Sequence, residues 1–219
     1  MARRRTYGDR CGIARALDLV GERWALLVVR ELLLGPKRFT DLREGLPHVS
    51  PDVLSQRLRE LEDADVLRRA KLPPPAGARV YELTERGREL EPVILALGRW
   101  GSGAPFPPGD ARLGPDSAVI ALLTVFEPSV AGGVEASYEL RLGEHPFRAR
   151  VGGGRIEFAR GAAEDPDAAI ATDPGTLVNV LWHRRELEDA ERAGELAIEG
   201  DRRAAKRFLS LFPIPESAP

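Results

Sequence analysis

One cysteine, Cys11, stands among 219 residues, so no intramolecular disulfide and no multi-cysteine zinc site is available to this chain. The three histidines, His48, His145 and His183, are scattered without metal-ligand spacing and are expected at the surface or in caps. Nowhere do a nucleophile and a base, a Gly-rich phosphate loop or a metal triad fall together. Neither enzymatic activity nor a cofactor or bound metal is therefore expected. The longest near-continuous apolar run, residues 118–126, is far short of the roughly 20 residues that span a bilayer. No apolar stretch follows Met1-Ala2-Arg3-Arg4-Arg5 either, so the expectation is a cytoplasmic chain without a secretory signal or a membrane partner.

What is present is an ordinary globular composition, 43% apolar and 30% charged, with an uneven charge distribution. Residues 1–104 carry 19 Lys and Arg against 15 Asp and Glu, whereas residues 105–219 carry 13 against 19. The net charge of −2 hides this asymmetry, and only the first part has the balance of a surface that faces phosphates. The small, Pro-rich segment around Ala104-Pro105-Phe106-Pro107-Pro108-Gly109 has no periodicity and reads as a linker. The division that follows is 1–104, linker 105–114, and 115–219.

Ser50-Pro51 is a helix start: a preferred N-cap, then a proline whose missing N–H had no partner anyway. Val53, Leu54, Leu58 and Leu61 recur at helical spacing, and the opposite face carries Asp52, Ser55, Gln56 and Arg59, with Arg57 on its border. Such side chains suit the base edges of a major groove wide enough for one helix. Upstream, residues 39–46 form a short helix capped by Thr40, so the two helices read as a helix-turn-helix. Downstream, residues 66–69 and 79–83 flank Pro73-Pro74-Pro75-Ala76-Gly77 as a hairpin with a cationic rim, completing the order of a winged helix-turn-helix.

Around this centre, residues 11–20 predict a helix with Ile13, Leu17 and Val20 on one side, and residues 23–34 a second helix with Trp24 in the core. Lys37 and Arg38 stand just ahead of the Thr40 cap, where cations and free N–H groups meet a phosphate together. Thr84 caps a long helix over 85–100, striped by Leu90, Val93, Ile94 and Leu97 and expected to kink at Pro92. Little of its own domain is left for that helix to cover, which points to pairing with a second copy. The arginines 3–5 form a basic tail, a solubilising terminus or an arm reaching phosphates.

Beyond residue 115 the period changes. Residues 118–126 are a buried strand candidate, and residues 134–142, 147–151, 155–159, 168–172 and 196–201 read as further strands. The triple glycine 152–154 is a hairpin turn and not a phosphate loop, because a strand follows it where a nucleotide site needs a helix. Helices are expected after Asp173-Pro174 and over 202–212, with the acidic run 186–191 on a solvated helix face. The fold class is thus a mainly α winged helix-turn-helix domain plus an α+β C-terminal domain with a mainly antiparallel sheet.

The stretches Cys11-Gly12-Ile13-Ala14-Arg15-Ala16-Leu17-Asp18-Leu19-Val20-Gly21-Glu22-Arg23-Trp24 and Leu32-Leu33-Leu34-Gly35-Pro36-Lys37-Arg38-Phe39 resemble the HxlR-type winged helix-turn-helix regulators. So do residues 50–62 and Tyr81-Glu82-Leu83-Thr84-Glu85-Arg86-Gly87. The resemblance covers roughly residues 8–101 and implies a bacterial, dimeric transcription regulator on a palindromic operator. Residues 115–213 resemble, less closely, sterol-carrier-protein-2-like domains through Asp165-Pro166-Asp167-Ala168-Ala169-Ile170-Ala171-Thr172 and Ile198-Glu199-Gly200-Asp201. That resemblance implies a cavity for an apolar or amphipathic effector, and no ligand-contacting residue carries over from it.

The expected partner is double-stranded DNA, with Ser55, Gln56 and Arg59 facing bases and Lys37, Arg38, Arg43 and Arg57 facing phosphates. Arg79 faces a phosphate or a minor groove, and Thr40, Ser50 and Asp52 complete the candidate surface. Two other readings stay open: a lipid or metabolite carrier whose winged domain mainly dimerises, and redox or electrophile sensing through Cys11, which the resemblance to the HxlR-type family implies for some of its members.

Overall fold

The capping and stop signals of residues 12–63 produce α1 (Gly12–Val20), α2 (Ala25–Leu32), α3 (Phe39–Gly45) and α4 (Pro51–Asp63). The computed structural model describes residues 6–74, 77–104, 113–182 and 184–213. The arginine arm 3–5, the hairpin-tip residues Pro75 and Ala76, linker residues 105–112 and His183 lie outside them. Two compact units divide the chain, Met1–Ile94 and Leu95–Pro219.

In the first unit, Ser50 Oγ accepts the Val53 N–H at 3.3 Å and Pro51 occupies the first helical position of α4. Leu54, Leu58 and Leu61 are buried beneath that helix. Its far end closes with the Val66 N–H on the Leu61 carbonyl and the Asp65 N–H on that of Glu62, Asp65 taking the left-handed conformation glycine usually supplies. The chain then runs into β1 (Leu67–Lys71) and β2 (Arg79–Leu83), an antiparallel pair in which Leu67 faces Leu83 and Lys71 faces Arg79.

Three expectations for this unit are corrected. Trp24 is half-buried and not in the core: it precedes α2 with φ at +78°, and the Arg23 guanidinium lies 5.2 Å from its ring centre. Thr40 is not the cap of α3, since Arg38 precedes the helix and its N–H is taken by Asp41 Oδ2 at 2.8 Å. The helix expected to kink at Pro92 is two helices, α5 (Glu85–Arg88) and α6 (Glu91–Gly101). Pro92 falls in the first turn of α6, where it displaces no hydrogen bond. Thr84 caps α5 through the Gly87 N–H at 3.0 Å, and a Cβ on Gly87 would lie 1.9 Å from the Val66 carbonyl, which excludes any other residue there without backbone movement.

The second unit holds α7 (Pro115–Val125), β3 (Ala136–Leu142), β4 (His145–Gly152), β5 (Arg155–Arg160), β6 (Ala168–Thr172), α8 (Pro174–Leu181), α9 (Leu187–Arg192), β7 (Leu196–Gly200) and α10 (Arg202–Ser210). The strands form a mixed sheet in the order β5-β4-β3-β6-β7, in which β3 and β6 run parallel and the other neighbours antiparallel. Gly153 and Gly154, with φ of +57° and +72°, turn β4 into β5. Residues 118–126 are no strand: 118–125 belong to α7, started by Pro115, and Phe126 follows it. Ala118, Val119, Ile120 and Leu122 are all buried, and a helix covered on most sides has lost the period that would separate it from a buried strand.

Tyr138, Leu140 and Leu142 of β3 turn inward with Phe147 and Ala149 of β4. Phe208 of α10 lies 4.7 Å from the Tyr138 ring and 5.1 Å from that of Phe212, so aromatic rings fill this side of the sheet. No helix among the described residues is long and apolar enough to cross a membrane.

Candidate nucleic-acid interface

The candidate reading surface lies on α4. At about 100° per residue, Asp52, Arg59 and Gln56 fall within one arc opposite Leu54, Leu58 and Leu61; all three are exposed, while Ser55 at the edge of the arc is half-buried. Gln56 Nε2 donates to Glu60 Oε1 at 2.9 Å, one turn further along the same face. Arg59 has no carboxylate partner among the described residues. Ser50, also exposed, is occupied with its cap.

Arg57 is not part of this surface. Its angular position lies between Val53 and Leu61, so the side chain is only 7% exposed and pairs with Glu60 and, at 3.8 Å, with Glu22. The phosphate contact expected of Arg57 is therefore corrected to an internal tie between α4 and the segment before α2.

Lys37 is corrected in the same way. It is 4% exposed, and its Nζ lies 2.5 Å from Glu31 Oε2, a carboxylate that is itself 1% exposed. Burial pushes the Glu31 carboxyl up, but Lys37 and Arg30 outweigh it and hold the group below its ordinary 4.5. The Lys37 main chain exchanges two hydrogen bonds with Tyr81 of β2, at 2.8 and 3.0 Å. A Cβ on Gly45 at the end of α3 would lie 2.2 Å from Glu31 Oε2. The pair thus sits where α2, the end of α3 and the wing strand meet. Sequence reasoning missed Glu31, because a carboxylate inside a Leu- and Val-rich helix gives no sign of facing inward.

Arg38, Thr40 and Arg43 are exposed at and beside α3. On the wing, Arg68 is taken by Glu82 at 2.7 Å, and Arg69 by Glu62 at 3.2 Å and the Tyr81 ring. Lys71 and Arg79 face each other across the strands, both exposed and without a carboxylate among the described residues. Two like charges directly opposite are unfavourable by themselves. An anion between them removes that cost, and Lys71 joins Arg79 as a wing residue the sequence reading overlooked, though the register that pairs them was the signal. Cys11, just before α1, is exposed, and its N–H is held by Asp9 at 2.9 Å. No cluster of metal-binding side chains occurs among the described residues.

Two short helices, the second with a bare polar face, followed by a two-stranded wing with cations at its tip, define a winged helix-turn-helix DNA-binding domain. Residues 19–105 match the HxlR-like helix-turn-helix family. The chain is 39% identical over 95 residues to the HTH-type transcriptional regulator sll1512 of Synechocystis, covering 43% of this chain and 70% of that protein. Over 88 residues it is 36% identical to YvaP of Bacillus subtilis, covering 40% and 82%. Over 85 residues it is 38% identical to YodB of the same bacterium, covering 39% and 76%. A solved structure of YodB in its reduced form matches with a TM-score of 0.39 and 35% identity, over 47% of this chain and all of that one. The chain belongs to the HxlR-like helix-turn-helix family of transcriptional regulators.

Proposed function

We propose that this chain binds a palindromic double-stranded operator as a homodimer. We also propose that its C-terminal part, kept on the sterol-carrier-protein-2-like reading, binds a small apolar or amphipathic molecule that modulates DNA affinity. The observation that carries the DNA reading is the polar arc of α4, with Asp52, Gln56 and Arg59 exposed above the buried Leu54, Leu58 and Leu61. Arg38, Arg43, Lys71 and Arg79 supply the flanking phosphate contacts. Support for the dimer comes from uncovered apolar side chains: Ile13 is 73% exposed on α1, and Val93, Leu97 and Trp100 stand at one-turn spacing on α6 with Trp100 81% exposed. A tenfold to hundredfold effect of the small molecule on affinity corresponds to about 1.4–2.7 kcal/mol of coupling.

The test is a gel shift with the full-length chain on the DNA upstream of its own coding sequence, with a footprint at increasing salt. A protected palindrome with salt-dependent retention is the expected result. Absence of both removes the DNA reading and leaves the alternative of a small-molecule carrier that uses the winged domain to dimerise.

A second reading concerns the trigger. Cys11 is exposed, and the relative YodB has solved structures described as reduced, quinone-bound and diamide-treated. On this reading C11S keeps DNA binding but no longer releases DNA on diamide treatment. Unchanged release by that variant removes Cys11 as the sensor.

A further inference from the structure

Alternation along the C-terminal strands places Ser137, Glu139, Arg148, Arg150, Glu157 and Ala159 on the side of the sheet away from the aromatic core. Arg148, Arg150 and Glu157 are exposed on this side, while Glu139 is buried. Residues 161–167 fold back along it and are pinned at several points. The Gly161 N–H reaches the Pro146 carbonyl at 2.9 Å, and the Ala163 N–H the Glu139 carboxylate at 2.6 Å. At the far end, Ser137 N–H is taken by Asp167 Oδ2 at 2.8 Å. Glu139 is 5% exposed and also holds Arg141, so it is fully engaged as the anchor of that wall. Between wall and strands lies a trough of about 580 Å³, within the range of small-molecule sites, with Ala159, Ala162 and Ala163 leaving room along it.

Its charges are arranged and largely uncommitted. Arg148 is steadied by one bond to the Arg160 carbonyl at 3.2 Å, which leaves most of its five donors available. The side chain of Arg150, two residues along on the same face, has no bonding partner among the described residues. Glu157 is the cross-strand neighbour of Arg150, yet the two form no ion pair, and Glu164 on the wall has no ion-pair partner among the described residues. A simple anion held by the two guanidinium groups would meet two carboxylates, and a simple cation the reverse. A molecule carrying both charges satisfies all four.

We infer that this trough is a binding site for a small zwitterion of amino-acid or dipeptide size. Its carboxylate lies against Arg148 and Arg150, its protonated amine against Glu157 and Glu164, and a short apolar side chain over the alanines. Binding follows from the trough alone, whereas a role as effector site rests on the regulator reading proposed above.

The test is a thermal-shift screen of the full-length chain against the common amino acids and a set of glycyl dipeptides, followed by calorimetry of the strongest binder. Saturable binding is expected, weakened about tenfold or more by N-acetylation or by amidation of the ligand, since each removes one charge-assisted contact. R150A loses binding similarly. A162W, which fills the trough without removing a charge, abolishes binding while circular dichroism is unchanged. No saturable binder in the screen overturns the site. So does equal or tighter binding of a blocked ligand, or binding retained in both variants. A gel shift with and without the ligand then separates the two readings. Unchanged DNA affinity leaves the site and removes its effector role, while no DNA binding at all counts against the winged domain alone.

Discussion

At the scale of single residues, charge alone did not tell which cations are available. Arg57, Lys37, Arg59 and Lys71 are equally basic, but the first two spend their charge on carboxylates inside the first unit and the last two have none among the described residues. On α4, Q56A or R59A is expected to change sequence preference by about 1–3 kcal/mol at one operator position, read from binding to a set of single-base operator variants. K71A is expected to weaken all sequences alike and to lower the slope of log affinity against log salt by about one unit. K37A belongs to a different class. It leaves the buried Glu31 with Arg30, at 2.8 Å, and is expected to cost about 1–3 kcal/mol in denaturant unfolding, a loss that folding stability and not the salt slope reports. The same carboxylate makes an acid-side prediction. Its folded pKa lies below the ordinary 4.5, so its stabilisation is complete above that value and is lost as pH falls through the lower, folded value. Melting curves of the native chain and of E31Q should therefore converge as pH is lowered below about 4.5, the native chain starting higher.

At the scale of elements, caps and stops were the most legible part of the chain. Ser50, Thr84, Asp173 and Asp201 each cap the helix that follows, because a short side-chain oxygen one residue ahead of a helix satisfies N–H groups that have no other partner. S50A is expected to cost about 0.5–2 kcal/mol in thermal or denaturant unfolding, the value of one such cap. It should weaken DNA binding only through the fraying of the first turn of α4. The wing and the β4–β5 hairpin were legible for a related reason, turn residues between alternating runs. Illegible elements share a different property. Residues 118–125 fold as a helix whose burial on nearly every side erases its periodicity, and α5 parts from α6 at Glu89-Leu90, ahead of Pro92 where the sequence reading placed a kink.

At the scale of the whole molecule, the uncovered side chains of α6 make the remaining prediction. L97D places a charge in a stripe that, on the proposed reading, a second copy covers. It is expected to shift sedimentation from dimer to monomer and to weaken operator binding, since each half-site would then be held by one winged domain. A dimer of unchanged stability in that variant would move the interface elsewhere.

Local chemistry determined the order of helices and wing, the leucine stripe under α4 and the antiparallel run of C-terminal strands, because caps, turns and periodicity act over a few residues. Folding in three dimensions decided what those signals cannot carry: that Glu31 meets Lys37 between three elements, that Arg57 turns inward, that β6 inserts parallel to β3, and that residues 161–167 run along one side of a charged trough. Each of these depends on which distant groups come into contact, and a long side chain on the border of a helix face or sheet takes whichever partner the packing supplies.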